Sequence, residues 1–149
     1  KMGRQTAIKQ GETDKKAVAQ LVHRIYDSYQ QFDPELLNQC DAPEATIWDL
    51  FEPDLVDGSS TARAEFRKKD MSDSRQRGQL SIIIEEPVVD VWGDFAVARY
   101  YLDYEFKPPG ALQGRVRITT VVRRIDGEWR RVHHHEGAVP TGRPPLTDQ

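Results

Sequence analysis

Early in the chain the apolar residues recur at helical spacing, and from Leu80 onward they alternate. Val18, Leu21, Val22, Ile25, Tyr26 and Tyr29 form one stripe down a helix. Thr13 or Asp14 is expected to cap that helix, leaving residues 1–12, polar and aperiodic, as a flexible N-terminal arm. "DPELLNQC" predicts a short second helix with Asp33 as N-cap, Pro34 at its first position and Glu35 in its first turn. "ATIWDLFEP" reads as a β-type run ended by Pro53, "VDGSS" as a turn, and "STARAEFRKKDMSD" as a helix capped by a serine or Thr61.

Four long strand-like segments follow. "LSIIIEEPVVDVW" is broken at Pro87, and "FAVARYYLDYEF" follows a Gly93–Asp94 turn. "RVRITTVVRRI" and "EWRRVHHHE" are joined by Asp126–Gly127. Helices first and consecutive strands last imply an α+β fold, a curved antiparallel sheet with the helices on one face. Such a sheet leaves a cone-shaped pocket at its open end, suited to a small molecule. Residues 13–140 are read as a single domain and 141–149, "TGRPPLTDQ", as a Pro-rich extended tail.

The totals narrow the function classes. A chain of 149 residues fits one domain. A net charge of −3 argues against general nucleic-acid affinity. No apolar run has the roughly 20 residues needed to span a bilayer, so no membrane role is expected. Cys40 is the only cysteine, which excludes an internal disulfide and a cysteine-based zinc site. A reducing compartment, the cytoplasm, is expected, with the periplasm left open because the chain starts at Lys1. No phosphate loop or nucleophile elbow is present and spacing supports no Cys–His pair, so no cofactor is implied.

Three stretches carry a resemblance: "YQQFDPELL", "ATIWDLF" followed by "VDG", and "RITTVVRRIDGEWRRVHHHEG". From about Asp14 to Pro140 the chain resembles the nuclear-transport-factor-2-like superfamily, which includes the SnoaL-like polyketide cyclases and the ketosteroid isomerases. "VHHHEGAVP" and "VVDVWGDFAVARYYL" are also similar to the association domain of calcium/calmodulin-dependent protein kinase II. The resemblance implies a cystatin-like α+β barrel, a cone of sheet wrapped round N-terminal helices. The fold hosts enzymes and assembly modules alike, so it does not decide function.

Asp49 is the first candidate for chemistry. It sits in an apolar run, where a carboxyl group is suited to accept a proton, and "ATIWD" resembles the position of the ketosteroid isomerase base. Its bland alternative is a polar side chain at a pocket rim. Tyr26, on the buried stripe, matches the oxyanion tyrosine of those enzymes to within one residue, or is a core aromatic. Their late-strand aspartate is missing, since Thr120 and Val121 occupy that neighbourhood.

His133 and His135 share one strand face and His134 the other, too few ligands on either face for zinc, so no metal is expected. His134 or His135 is a candidate proton shuttle, and a single β-bulge would swap which of them meets the pocket. Trp48, Tyr29, Arg99, Tyr101, Arg117 and Thr120 are candidate substrate contacts. The pocket arginines of the kinase association domain correspond to Asp103, Thr120 and Glu136 here.

Two functions are therefore expected from different classes. One is a cofactor-independent isomerase, dehydratase or other lyase acting on a small apolar, aromatic or polyketide-like substrate, with Asp49 as proton acceptor. The other is a non-catalytic association domain. Both imply a homodimer or a larger homo-oligomer.

Overall fold

The computed structural model describes residues 2–147, apart from the side chains of Met2 and Ser60. Three helices, α1 (Met2–Gln30), α2 (Pro34–Gln39) and α3 (Ser60–Arg77), precede or interrupt six strands. The strands are β1 (Asp41–Trp48), β2 (Leu80–Ile84), β3 (Val88–Trp92), β4 (Phe95–Phe106), β5 (Leu112–Ile125) and β6 (Glu128–Ala138). They form one curved, unclosed sheet in the order β1-β6-β5-β4-β2, with β3 also paired to β4.

The local signals account for most boundaries. Asp33 caps α2 by accepting from the backbone N–H groups of Glu35 and Leu36, with Pro34 behind it. Ser59 caps α3 by accepting from the N–H of Ala62. Asp126 and Gly127 both take positive φ, the conformation of a tight two-residue hairpin, and so join β5 to β6.

Two expectations are corrected. Residues 2–12 are not a loose arm, and neither Thr13 nor Asp14 starts the helix, because α1 runs unbroken from Met2. The stretch is polar all round, but Arg, Gln, Ala, Lys and Glu are good helix formers that extend a turn already nucleated by packing. Asp14 lies buried within the helix and pairs with Arg124 on β5 at 3.0 Å. The sheet is antiparallel except at one place, where β1 runs parallel to β6. No hairpin links those two strands, so no turn imposes an antiparallel order. Residue 1 of the expected arm and residues 148–149 of the expected tail lie outside the described residues, while residues 139–147 carry no helix or strand.

The stripe of α1 packs on the inner face of the sheet, where Ala96, Ala98, Tyr100 and Leu102 of β4 meet Val18, Leu21, Val22 and Ile25 in one core. Burying each large aliphatic side chain contributes roughly 1.5–3 kcal/mol. The two alanines keep the sheet close to the helix.

A charged cluster locks this arrangement. Asp41, fully buried at the start of β1, accepts from Arg131 Nε at 2.6 Å and Nη2 at 3.1 Å. It also accepts two hydrogen bonds of 3.2 Å from Arg67 of α3, and Arg63 stands 3.8 Å away. Beyond Asp41, β1 bulges away from β6 before Thr46 rejoins His133. Arg63 Nη1 donates to the carbonyls this frees, Pro43 O at 3.0 Å and Ala45 O at 3.3 Å. Gly58 is required beside the bulge, since a Cβ there would lie 2.4 Å from Glu44 O.

Burial pushes the Asp41 carboxyl up, but the charge and hydrogen bonds of Arg131 and then Arg67 outweigh it, and the net shift is downward. The stabilisation is therefore complete above the unfolded value of 3.8 and is lost as pH falls through the lower folded value. Asp41→Asn is expected to cost about 3–5 kcal/mol at neutral pH, because it strands buried guanidinium groups without a counter-charge. Urea denaturation of the variant and the parent measures this, and an unchanged midpoint would overturn it.

Candidate active site

A cavity of about 260 Å³ lies between α1, α3, the loop after β1 and the inner face of the sheet. Its walls are largely apolar, with Ile47, Leu80, Leu102, Phe106 and Val116 among them. Set into those walls are Tyr26, Tyr29, Asp49, Asp70, His134 and Glu136.

His134 reaches the cavity because of a local defect in β6. Val121 pairs with His133 and Val122 with Arg131, so Val132 is an extra residue, a β-bulge. Trp129 and Arg131 point inward before the bulge, and His134 and Glu136 point inward after it. His133 donates to or accepts from Thr46 Oγ1 at 2.7 Å. His135 is turned out against Trp48, with ring centroids 6.5 Å apart.

Four buried side chains close a ring of hydrogen bonds. Tyr26 Oη lies 2.8 Å from His134 Nε2, and His134 Nδ1 lies 3.0 Å from Thr120 Oγ1. Thr120 meets Tyr100 Oη at 2.8 Å, and Tyr100 donates to Tyr26 over 3.5 Å. Burial, helped by the nearby charge of Arg131, drives His134 well below the usual histidine range. A neutral imidazole has one donor and one acceptor nitrogen, so the ring can run in either sense. In one sense Tyr26 gives its proton to Nε2; in the other Nε2–H donates to Tyr26, Thr120 donates to Nδ1 and Tyr100 to Thr120, so the long 3.5 Å link from Tyr100 to Tyr26 opens and the Tyr26 proton is available to a ligand oxygen. Burial raises both tyrosines, Tyr100 to about 12, so both keep their protons.

The carboxyl groups respond to the same burial. Glu136 is pushed well up by desolvation, then by the charge of Asp49 and a hydrogen bond with it. Asp70 is raised to about 6 by burial, against the opposing effect of its hydrogen bond with Tyr29. Asp49 lies just beyond β1, where its Oδ2 accepts from the N–H of Phe51 at 2.9 Å and turns the chain out of the sheet.

The expected site residues divide by strand face. Asp49, Tyr26, Tyr29 and His134 come together at the cavity, and Thr120 stands behind His134 as its hydrogen-bond partner. Trp48, His135, Arg99, Tyr101 and Arg117 do not, because alternation and the bulge place them on the outer face. There Arg99 pairs with Asp90, and Tyr101 lies under the Arg115 guanidinium at 4.3 Å. Sequence reasoning missed Glu136, Asp70 and Arg131 as cavity residues. For Glu136 the signal was its shared parity with His134; α3 has no apolar stripe that would have pointed Asp70 inward. Among the described residues, no three His, Cys, Asp or Glu side chains are grouped to hold a metal ion, and no helix is long and apolar enough to cross a membrane.

A SnoaL-like domain model matches residues 18–141. Solved structures share the fold at low identity. A nuclear-transport-factor-2-like protein with a cystatin-like fold from Novosphingobium aromaticivorans superposes with a TM-score of 0.79 at 16% identity, covering 95% of this chain and 92% of that one. A protein from Streptomyces avermitilis, described as a dehydratase of the same family, gives 0.76 at 17% identity over 87% and 98% of the two chains. The association domain of calcium/calmodulin-dependent protein kinase II from C. elegans gives 0.68 at 21% identity over 85% and 97%. No curated protein matches the chain in sequence.

Because His134 is buried neutral, the unfolded chain takes up a proton below its ordinary value of 6.5 and the folded chain does not. The contribution to stability is complete above that pH and declines as pH falls below it. Proton–nitrogen NMR of the histidine side chains is expected to find His134 neutral at about pH 6. A protonated His134 there would overturn this electrostatic description.

Proposed function

We propose, from the premise that the chain belongs to the SnoaL-like domain family, that its cavity is a cofactor-independent acid–base active site. A small apolar, aromatic or polyketide-like substrate enters from the open end. Asp49 accepts a proton from carbon, and Tyr26, backed by His134, donates to the oxygen on which negative charge develops. The observation that carries this reading is the convergence of Asp49 and the Tyr26–His134 pair on one apolar cavity. In such a place water does not compete for the hydrogen bonds, and a developing charge is stabilised more strongly than in bulk solvent. Isomerisation, dehydration and related eliminations all begin with this step.

The probe for the first step is benzylacetone in heavy water, with deuterium entry next to the carbonyl followed by NMR. Exchange is expected with the parent protein. Asp49→Asn is expected to slow it by about 10²–10⁴-fold while the circular dichroism spectrum stays unchanged. No exchange above buffer, or full exchange by Asp49→Asn, would overturn Asp49 as base.

A second observation favours self-association, whether or not the cavity is catalytic. The outer sheet face exposes Ile83 (64%), Val88 (62%) and Trp92 (63%), with Phe95 and Tyr101 beside them. A patch of this kind is read as the seat of a second copy. Sedimentation analysis is expected to give a dimer or larger assembly, which Trp92→Glu weakens. A monomer at tens of micromolar would overturn it.

A further inference from the structure

Two carboxyl groups stand side by side in the cavity, and the sheet explains why. The parallel pairing of β1 with β6 ends at Ile47↔His134 and Trp48↔His135. One step further along each chain stand Asp49 and Glu136. Ile47 and His134 face the cavity, Trp48 and His135 face away, and Asp49 and Glu136 face the cavity again. They are thus neighbours across the end of the sheet, presented on the same side of whatever the cavity holds. Asp70 approaches from α3 instead, near Tyr29, whose hydroxyl meets Ser74 Oγ at 2.7 Å.

We propose that Glu136 and Asp49 form one acid–base couple that removes water from a β-hydroxy carbonyl substrate, Asp49 as base and Glu136 as acid, both acting on the same face. This rests on the reading of the cavity as an acid–base site and selects among its reactions. Asp49 takes the proton from the carbon next to the carbonyl, and Tyr26 donates to the carbonyl oxygen. The C–H electron pair becomes the new C=C bond. The C–O bond breaks, its pair leaves with the hydroxyl, and the Glu136 proton converts that hydroxyl to water. Asp49 is then protonated and Glu136 ionised, and the proton passes back between the two adjacent carboxyl groups.

An isomerase needs only one group to carry a proton between carbons. An acid that keeps its proton beside the base serves a reaction with a leaving group, and burial together with the adjacent Asp49 charge keeps Glu136 in that form. His134 is poorly suited to this part: its Nε2 is committed to Tyr26 at 2.8 Å and lies 4.0 Å from Glu136 Oε2.

The test uses two probes with the full chain: the aldol adduct of acetone and benzaldehyde, which loses water to give benzalacetone, and its O-acetyl ester, which loses acetate. Acetate departs without a proton. Glu136→Gln is expected to slow loss of water by about 100-fold or more and loss of acetate by less than about 10-fold. Stereospecific deuterium labelling is expected to show proton and hydroxyl leaving from the same face. Equal slowing of both probes would make Glu136 merely structural and overturn the proposal. Asp49-dependent loss of acetate by a parent protein that cannot release water would also overturn it, while leaving Asp49 as base. Turnover of neither probe, with benzylacetone exchange intact, would overturn elimination alone.

A readout without substrate completes the test. Carbon NMR of the carboxyl groups is expected to show Glu136 titrating above the ordinary glutamate range, with its midpoint falling in Asp49→Asn. A midpoint in the ordinary glutamate range, or one indifferent to Asp49, overturns the couple.

Discussion

The buried carboxylate of Asp41 is the point on which the other elements are hung. Among the described residues it is the one acid paired with three guanidinium groups that come from two different elements, Arg131 from β6 and Arg63 and Arg67 from α3. Each of these charges would be costly alone in an apolar interior, and together they tolerate burial only in this geometry. The constraint brings the first strand beside the last, in parallel, and lays α3 across them. Asn38, at the end of α2, joins through Arg67 at 2.6 Å. The floor of the cavity, formed partly by Arg67 and Arg131, exists because this cluster closes.

From that floor the same physics runs through the site in opposite directions. Burial disfavours whichever form is charged. It pushes Glu136 and Asp70 up and His134 down, and it holds the tyrosines protonated. The result is a cavity whose upper walls are rich in groups that exchange protons, above a floor whose guanidinium charges are answered by Asp41. A neutral hydrogen-bonded ring is what an apolar site can hold at low cost.

The outer face follows a different logic. There Arg115 is answered at the surface by Glu85 and Asp103, and Arg123 by Glu44. Such exposed pairs add little stability. They do frame an apolar patch in which Trp92 and Phe95 stay exposed. The six arginines between Arg115 and Arg131, a single run in sequence, are thereby divided between a solvated face and the buried cluster.

Local chemistry determined much of the fold by itself. The 3.6-residue stripe of α1, the Asp33 and Ser59 caps and the Asp126–Gly127 turn act over a few residues, and each was legible without the rest of the molecule. The helix over residues 2–12 was not, because intrinsic propensity without an apolar face leaves no periodic trace. Of the site, Asp49, Tyr26, Tyr29 and His134 were named from the residues and from the family likeness. Which histidine turns inward was decided by one extra residue at Val132, a feature of pairing between distant strands. The same pairing set Glu136 beside Asp49, and helix docking brought Asp70 and Arg67 to the cavity. Side-chain parity and cross-strand partnership depend on register, and register is fixed only when the sheet and the buried charges close together.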